Sequence, residues 1–305
     1  MALPRVGLGT ATLGGLFSAV DDAVAAATVA AAIDNGWTFV DTAPLYGHGL
    51  SETRVGVALA SANTDVVVST KVGRLVRPVA EREEGDIFLG APPGTATFDF
   101  TFDGVRRALG ESLVRLQLDA VDVALLHDPE GHLDLALTEG VRALLDLREA
   151  GKVGAIGVGT NEVGTARRFV EEAPVDVVLI AGRTTLLDRS AEAELLPRCA
   201  ELGVQVVAGG VFNSGALADP VAGHFAYAAI PDEVRRRLVR LTDACARAGV
   251  PLAAAAIQHP LRHPAVTSIV VGCRSPEEVE ANVTLLSTPV PDALWAELDA
   301  IGAAA

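Results

Sequence analysis

The chain is 305 residues long and half of its residues are apolar, which is enough to bury one large core or two modest ones. Its formal net charge of −15 argues against binding to nucleic acid or to an anionic membrane, because both require a basic face. The three cysteines are widely spaced and form no CxxC pair, so neither a disulfide framework nor a metal site is expected. Without a signal-peptide pattern or an apolar run long enough to span a bilayer, the chain is expected to be cytoplasmic.

Eight short runs rich in β-branched residues recur along the chain, at residues 6–9, 38–41, 66–70, 121–126, 155–158, 177–180, 204–208 and 268–271. Most of these runs carry apolar residues at consecutive positions, as strands covered on both faces of a parallel sheet do. Segments with helical periodicity lie between them, at residues 21–35, 104–116, 135–150, 162–171, 231–248 and 276–286. Glycine follows three of these segments directly, and Asn161 is predicted to cap the start of the fourth.

The alternation of eight strands with helices predicts an α/β fold, a (β/α)8 TIM barrel that forms a single domain over residues 1–305. A doubly wound sheet is the alternative, because periodicity alone does not separate the two. Residues 75–101 interrupt the pattern with a run of four charges and then a Gly- and Pro-rich stretch. We expect them to form a long loop after the third strand, at the catalytic end of the barrel, which covers the substrate.

Four polar side chains stand at the ends of successive predicted strands. Asp41 ends the second strand and Tyr46 lies in the loop beyond it, Lys71 ends the third strand, and His127 ends the fourth. Each residue taken alone has an ordinary structural role, as a cap, a loop residue or a packing residue. In a barrel, however, the C-terminal strand ends converge on one mouth, so the sequence predicts that the four side chains meet there.

The chemistry of these four residues is coherent. A phenol titrates near pH ~10 in water, and a nearby ammonium such as that of Lys71 stabilises the phenolate of Tyr46. Asp41 is expected to keep Lys71 charged, since an isolated buried ammonium tends to lose its proton. His127 is expected to hydrogen-bond the substrate oxygen and direct it at Tyr46. Such a set supplies the proton transfer that accompanies hydride transfer to or from a nicotinamide.

The ordered segments VDTAPLYGHGLSETRVGVAL, VSTKVG, LDAVDVALLHDPE and AIGVGTNE resemble those of the aldo-keto reductases, and the resemblance covers nearly the whole chain. It implies a barrel enzyme with Asp41, Tyr46, Lys71 and His127 as catalytic tetrad, and with Thr160 and Asn161 at the nicotinamide carboxamide. Three further segments, FDFTFDGVRRALGESLVRLQLDAVDVALLHDPE, AGRTTLLD and GGVFNSGAL, resemble the aldose 1-dehydrogenase branch. Members of that branch oxidise the anomeric hydroxyl of a sugar to a lactone. Pyridoxal oxidation and general aldehyde or ketone reduction are the alternatives within the family.

The resemblance to the aldo-keto reductases also implies a cofactor site, formed largely by the loops after the seventh and eighth strands. The Gly-rich residues 209–215 are expected either to bring backbone N–H groups to the pyrophosphate or to form only a tight turn; the candidates there are Gly210, Phe212, Asn213, Ser214 and Gly215. The second segment contributes Gly272, Arg274, Glu278 and Asn282. NADP-preferring members of the family carry an Arg where Glu278 aligns. A carboxylate there repels a 2′-phosphate, so NAD is favoured over NADP, although Arg274 could reach a phosphate.

Two other classes of protein compete with this reading. A Rossmann dehydrogenase is suggested by VGLGTATLGG, but Thr12 stands where the third glycine of the fingerprint belongs. A non-catalytic, cofactor-binding regulatory barrel has the same fold, because a fold alone does not establish turnover. All four tetrad positions are filled here, which favours an enzyme whose partner is a small sugar or aldehyde.

Overall fold

The computed structural model describes residues 2–221, 223–225 and 228–303. Eight strands in this part of the chain close into a barrel, and each is parallel to both of its neighbours. The order around the ring is β1-β10-β9-β8-β7-β6-β3-β2, and β4 pairs with β5 outside it. The strands are β1 (Val6–Gly9), β2 (Phe39–Asp41), β3 (Val67–Val72), β4 (Arg74–Pro78), β5 (Gly94–Phe98), β6 (Val121–His127), β7 (Val153–Thr160), β8 (Val177–Ala181), β9 (Gln205–Gly209) and β10 (Val266–Gly272).

Helices follow the barrel strands and pack around the outside of the ring. They are α1 (Asp22–Asp34), α2 (Leu50–Leu59), α3 (Phe102–Leu116), α4 (Leu133–Leu135), α5 (Val141–Glu149), α6 (Val163–Glu172), α7 (Ser190–Leu202), α8 (Asp232–Arg247), α9 (Leu252–Gln258), α10 (Pro276–Ser287) and α11 (Asp292–Ala303). A π-helical segment, Ala136–Gly140, joins α4 to α5. The prediction of a single-domain (β/α)8 barrel is therefore confirmed. Within the described ranges, no helix is both long enough and apolar enough to cross a membrane.

Alternate strand residues point into the barrel and fill it. Phe39, Val123, Leu125 and Leu179 belong to this inner layer, and Leu3 packs beneath it as the floor. A Cβ atom on Gly7 of β1 would lie 2.6 Å from the Phe39 ring, so the missing side chain makes room for the largest residue of the layer. The floor and lower layer are apolar, and the polar inward-facing residues begin above them, at the C-terminal ends of the strands.

Two local expectations were wrong. Residues 75–101 are not irregular throughout, because β4 and β5 pair as an antiparallel ribbon from Arg74–Phe98 to Pro78–Gly94. Short polar strands of this kind lack the continuous apolar pattern by which the barrel strands are found. Asn161 is not the cap of α6, because the cap position falls on Glu162. The turn before α6 is closed by Thr160, one residue before Asn161: the Thr160 hydroxyl accepts a hydrogen bond from the Glu162 amide (2.9 Å).

Candidate active site

A buried ion pair forms the centre of the site. The Lys71 ammonium donates to Asp41 Oδ2 (2.6 Å) and to the carbonyl of Thr42 (2.9 Å), and the Ser69 hydroxyl donates to Asp41 Oδ1 (3.0 Å). Burial disfavours the charge on Lys71, but the charges of Asp41 and Tyr46 and hydrogen bonds with both raise its pKa above the usual value. Lys71 is therefore held as an ammonium, pointing upward from the inner face of β3.

Tyr46 lies directly above this pair, in the loop between β2 and α2. The Lys71 nitrogen is 4.7 Å from the centre of the Tyr46 ring. The backbone of this loop is fixed by the loop after β1: a Cβ atom on Gly14 would lie 2.7 Å from the Tyr46 carbonyl carbon. Because only glycine permits this approach, the two loops pack backbone against backbone, and the position of Tyr46 is set before any substrate binds.

His127 ends β6 and completes the group. Its ring meets that of Tyr46 edge to face, with centroids 6.0 Å apart and an interplanar angle of 89°. Burial, assisted by the charges of Arg74 and Lys71, lowers the pKa of His127 well below its usual value, so the imidazole is neutral near pH 7. Nε2 lies 3.5 Å from Asp128 Oδ2, and Nδ1 is buried without a hydrogen-bond partner among the described residues. A neutral imidazole has one donor and one acceptor nitrogen, the two capacities needed to hydrogen-bond a hydroxyl or a carbonyl oxygen.

The ring of Phe88 lies over Tyr46, with centroids 6.3 Å apart. It belongs to the loop between β4 and β5, and the Asp86 carboxylate of the same loop contacts both His48 Nε2 (3.1 Å) and Arg82. The backbone of Phe17, in the loop after β1, donates to the Ile87 carbonyl (2.9 Å). The sequence places this segment near the site, but nothing in its pattern singles out Phe88.

Behind the site, Glu52 of α2 is completely buried. Its carboxylate accepts from the Thr70 hydroxyl (2.6 Å), next to Lys71, and from Arg115 Nε of α3 (2.6 Å). This network connects two helices to β3 at the residue before the lysine. It was not anticipated, because a Glu inside a helix is usually solvated.

Four of the predicted cofactor residues line one cleft beside the mouth: Asn161, Gly210, Asn213 and Ser214. The cleft is completed by Ala181, Gly182, Arg183 and Phe225, which were not among the predicted cofactor residues. Arg183 follows β8; it donates to the Asn161 carbonyl (2.6 Å) and pairs with Asp188 (2.8 Å). The side chain of Asn213 bridges two loops, accepting from Thr185 (2.6 Å) and donating to the Gly182 carbonyl (3.2 Å).

The remaining predicted cofactor residues have more varied surroundings. The Thr160 hydroxyl contacts the Glu130 carboxylate, and Phe212 packs partly buried against the core. Gly215 adopts a φ of 100°, in a turn where Asn213 and Ser214 also have positive φ. Gly272 ends β10. Arg274 lies just before α10, and Glu278 and Asn282 belong to that helix. The Glu278 carboxylate accepts from the Arg274 amide (2.9 Å) and guanidinium (3.1 Å), and Asn282 donates to Cys273 Sγ (3.3 Å).

The cleft has the chemistry of an anion cradle. Gly210 has a φ of 59°, and a Cβ atom there would lie 3.0 Å from the Gly182 amide nitrogen, so the two loops approach closely. The amides of Val211 and Phe212 donate no hydrogen bond to any described residue. Unpaired backbone donors next to a glycine turn are the usual means of holding a phosphate group. These residues fit a dinucleotide lying along the barrel mouth.

Comparison with known proteins agrees with this geometry. The sequence profile of the Aldo/keto reductase family matches residues 5–303. The chain is 44% identical to a D-threo-aldose 1-dehydrogenase of Pseudomonas sp, over 98% of this chain and 94% of that protein. It is 40% identical to a pyridoxal 4-dehydrogenase of Microbacterium luteolum, over 99% and 95% of the two chains. The solved structure of a glycerol dehydrogenase from Gluconobacter oxydans superimposes with a TM-score of 0.79 at 25% identity, covering 99% of this chain and 92% of that one.

The chain therefore belongs to the aldo/keto reductase family. It is an NAD(P)-dependent oxidoreductase built on a TIM barrel, and the resemblance seen in the sequence is confirmed.

Proposed function

We propose that this oxidoreductase is an NAD-dependent aldose 1-dehydrogenase, which oxidises the anomeric hydroxyl of a cyclic sugar to a lactone. The observation that carries the proposal is the convergence of Asp41, Tyr46, Lys71 and His127 at the barrel mouth, beside the cleft that fits a dinucleotide. The 44% identity to a D-threo-aldose 1-dehydrogenase supports the choice of substrate class.

In this mechanism Tyr46 is the base. Its phenolate takes the proton of the anomeric hydroxyl while C1 gives up a hydride, so that the C1–O bond becomes a carbonyl. The bound nicotinamide supplies the hydride acceptor. The Lys71 ammonium lies 4.7 Å from the centre of the Tyr46 ring, where it favours the phenolate, and Asp41 keeps Lys71 protonated and oriented.

His127 positions the substrate. Its lowered pKa makes the neutral imidazole a weak base, so it can share a hydrogen bond with the hydroxyl without taking its proton, and its contact with the Tyr46 ring sets the distance between the two groups. A charged imidazole at this point would repel Lys71. The lowered pKa of His127 therefore keeps the imidazole uncharged beside the Lys71 ammonium.

The dinucleotide is proposed to lie along the cleft from Thr160 and Asn161, at the carboxamide, towards the turn formed by Gly210, Phe212, Asn213, Ser214 and Gly215. Its adenosine end is then placed near Gly272, Arg274, Glu278 and Asn282. Here Glu278 already pairs with Arg274, which neutralises the cation that could bind a 2′-phosphate. We therefore expect kcat/KM to be at least about tenfold higher with NAD than with NADP. The opposite preference would contradict this part of the proposal.

The function is tested by following absorbance at 340 nm with NAD and a panel of aldoses, with pyridoxal and simple aldehydes alongside. Pyridoxal is the second candidate, because of the 40% identical pyridoxal 4-dehydrogenase. Turnover of pyridoxal but of no aldose would replace the first proposal with the second.

Tyr46→Phe provides the direct test of the base. Removing the hydroxyl should lower kcat by about 100-fold or more, since positioned acid–base groups contribute factors of that size. The Kd for the cofactor, measured by fluorescence quenching, should stay within about twofold because the ring remains. Near-normal kcat in this variant would remove Tyr46 from the mechanism.

A further inference from the structure

Arg74 and Asp128 form an ion pair beside the candidate catalytic group that the mechanism above does not use. Arg74 begins β4, three residues after Lys71, and Asp128 follows His127 directly. Arg74 Nη2 donates to Asp128 Oδ2 (2.6 Å), and the same oxygen lies 3.5 Å from His127 Nε2. The pair therefore lies directly beside His127, on the side of its Nε2 atom.

Both members of this pair retain unused hydrogen-bonding capacity. Arg74 Nε is buried without a partner among the described residues, and within the same part of the chain Asp128 Oδ1 accepts no hydrogen bond. A buried donor left unpaired costs free energy, which a ligand that supplies an acceptor recovers. The guanidinium is also fixed in place, because it lies over the ring of Phe98, 4.5 Å from the ring centre.

The backbone of Asp128 is held in an uncommon conformation. Its φ is +44°, in the left-handed region that residues other than glycine seldom adopt, and its amide donates to the Gly159 carbonyl (2.9 Å). Strain of this kind is found where a fold holds a side chain in position for a function. Burial also raises the pKa of Asp128, with Arg74 opposing, so the fold holds the carboxyl where its charge is costly.

We propose that Arg74 and Asp128 form a hydroxyl-binding subsite, which selects polyhydroxylated substrates over simple aldehydes. The carboxylate accepts a hydrogen bond from a hydroxyl on a carbon close to the reacting one, and Arg74 Nε donates to a hydroxyl oxygen. A carboxylate together with a guanidinium matches a hydroxyl, which both donates and accepts. This proposal rests on the proposed function, since it names what recognises the sugar.

The test compares glyceraldehyde with propanal, which have the same carbon chain and differ in their hydroxyls. Reduction of each is measured with NADH in the wild type, in Asp128→Asn and in Arg74→Met. Asparagine adopts the left-handed region readily, and methionine keeps an apolar stem over Phe98, so both variants should fold. Arg77→Met is the matched control, because Arg77 belongs to the same strand and pairs with Glu111 away from His127.

The expected result is selective. For each subsite variant, kcat/KM with glyceraldehyde should fall about 10- to 100-fold, because one hydrogen bond to a charged group is lost. The value of kcat/KM with propanal should change by less than about threefold. Arg77→Met should change neither. If both aldehydes fall by the same factor, or if the wild type does not distinguish them, the subsite is overturned.

The contribution of single hydroxyls is also measured in the oxidation direction, by comparing kcat/KM for an aldose with kcat/KM for its deoxy analogues. In the wild type, kcat/KM for one deoxy sugar should be about tenfold or more lower than kcat/KM for the parent aldose. In Asp128→Asn the ratio of the two values should approach one. A penalty that persists unchanged overturns the subsite. A wild type that discriminates between the two aldehydes yet oxidises no aldose would instead contradict the proposed function and leave the subsite standing.

Discussion

The pKa values of Lys71 and His127, the two titratable side chains that contact the Tyr46 ring, shift in opposite directions although burial lowers both. The pKa of Lys71 is raised despite its burial, because Asp41 and Tyr46 favour the ammonium, whereas the pKa of His127 is lowered by burial, assisted by the charges of Arg74 and Lys71. The same barrel mouth thus holds one charged and one neutral nitrogen, and each has the protonation state that its proposed role needs.

The lowered pKa of His127 has a consequence for stability against pH. Between its folded and unfolded pKa values the unfolded chain binds a proton that the folded protein does not, so stability falls as pH decreases below about 6.5. His259, whose pKa is also lowered by burial despite its hydrogen bond with Glu192, adds to this effect. From pH 7.5 to 5.5 we expect the free energy of unfolding to fall by about 1 kcal/mol through His127, and to fall further through His259.

Urea unfolding at the two pH values measures this loss in the wild type, in His127→Gln and in His259→Gln. His127→Gln should lose about 1 kcal/mol less than the wild type over the interval, and His259→Gln should also lose less, because in each variant the residue that takes up the proton on unfolding is gone. If His127→Gln shows the same loss as the wild type, His127 is not neutral in the folded protein.

At the scale of the elements, Glu52 shows how the helices around the barrel fix the site. Its buried carboxylate joins α2 to Thr70 of β3 and to Arg115 of α3. Replacement by alanine leaves buried donors without an acceptor, so Glu52→Ala should lower the free energy of unfolding by about 1–3 kcal/mol. Asp146→Ala is the control: it removes a pair with Arg106 in which both side chains are more than 40% exposed, and should cost less than about 1 kcal/mol.

Urea unfolding at pH 7.5 compares the two alanine variants. Equal losses would show that the buried network contributes no more than a surface pair. A selective loss in Glu52→Ala, accompanied by a fall in kcat, would indicate that the network also supports the position of Lys71.

The loop between β4 and β5 is the element proposed to cover the substrate. Phe88 of this loop is buried over Tyr46, whereas its neighbour Leu89 is 45% exposed. In Phe88→Ala water reaches the Tyr46 hydroxyl, so kcat/KM for the sugar should fall at least about fivefold while the cofactor Kd is unchanged. Leu89→Ala should leave both quantities within about twofold. Equal kinetic effects in the two variants would remove the covering role.

At the scale of the whole molecule, the barrel was predictable because its strands have a strong and repeated pattern. The side chains of Asp41, Tyr46, Lys71 and His127 lie together at one mouth, as expected for the ends of parallel strands, and their catalytic role stays a prediction. The ribbon of β4 and β5, the subsite of Arg74 and Asp128 and the contacts of Glu52 were not predictable. They depend on which surface of one element faces another, and a single sequence with weak local patterning does not record that.

The residues proposed to contact the substrate and those proposed to contact the dinucleotide lie in different halves of the chain. The tetrad and the proposed substrate contacts all precede β7, from Asp41 to Asp128, whereas the proposed dinucleotide contacts begin at Thr160 on β7 and run to Asn282. The ring is completed only where β6 meets β7 and where β1 meets β10. Neither half-chain can therefore hold substrate and cofactor together, and joining the half-barrel of one relative to that of another could exchange sugar preference without altering dinucleotide preference.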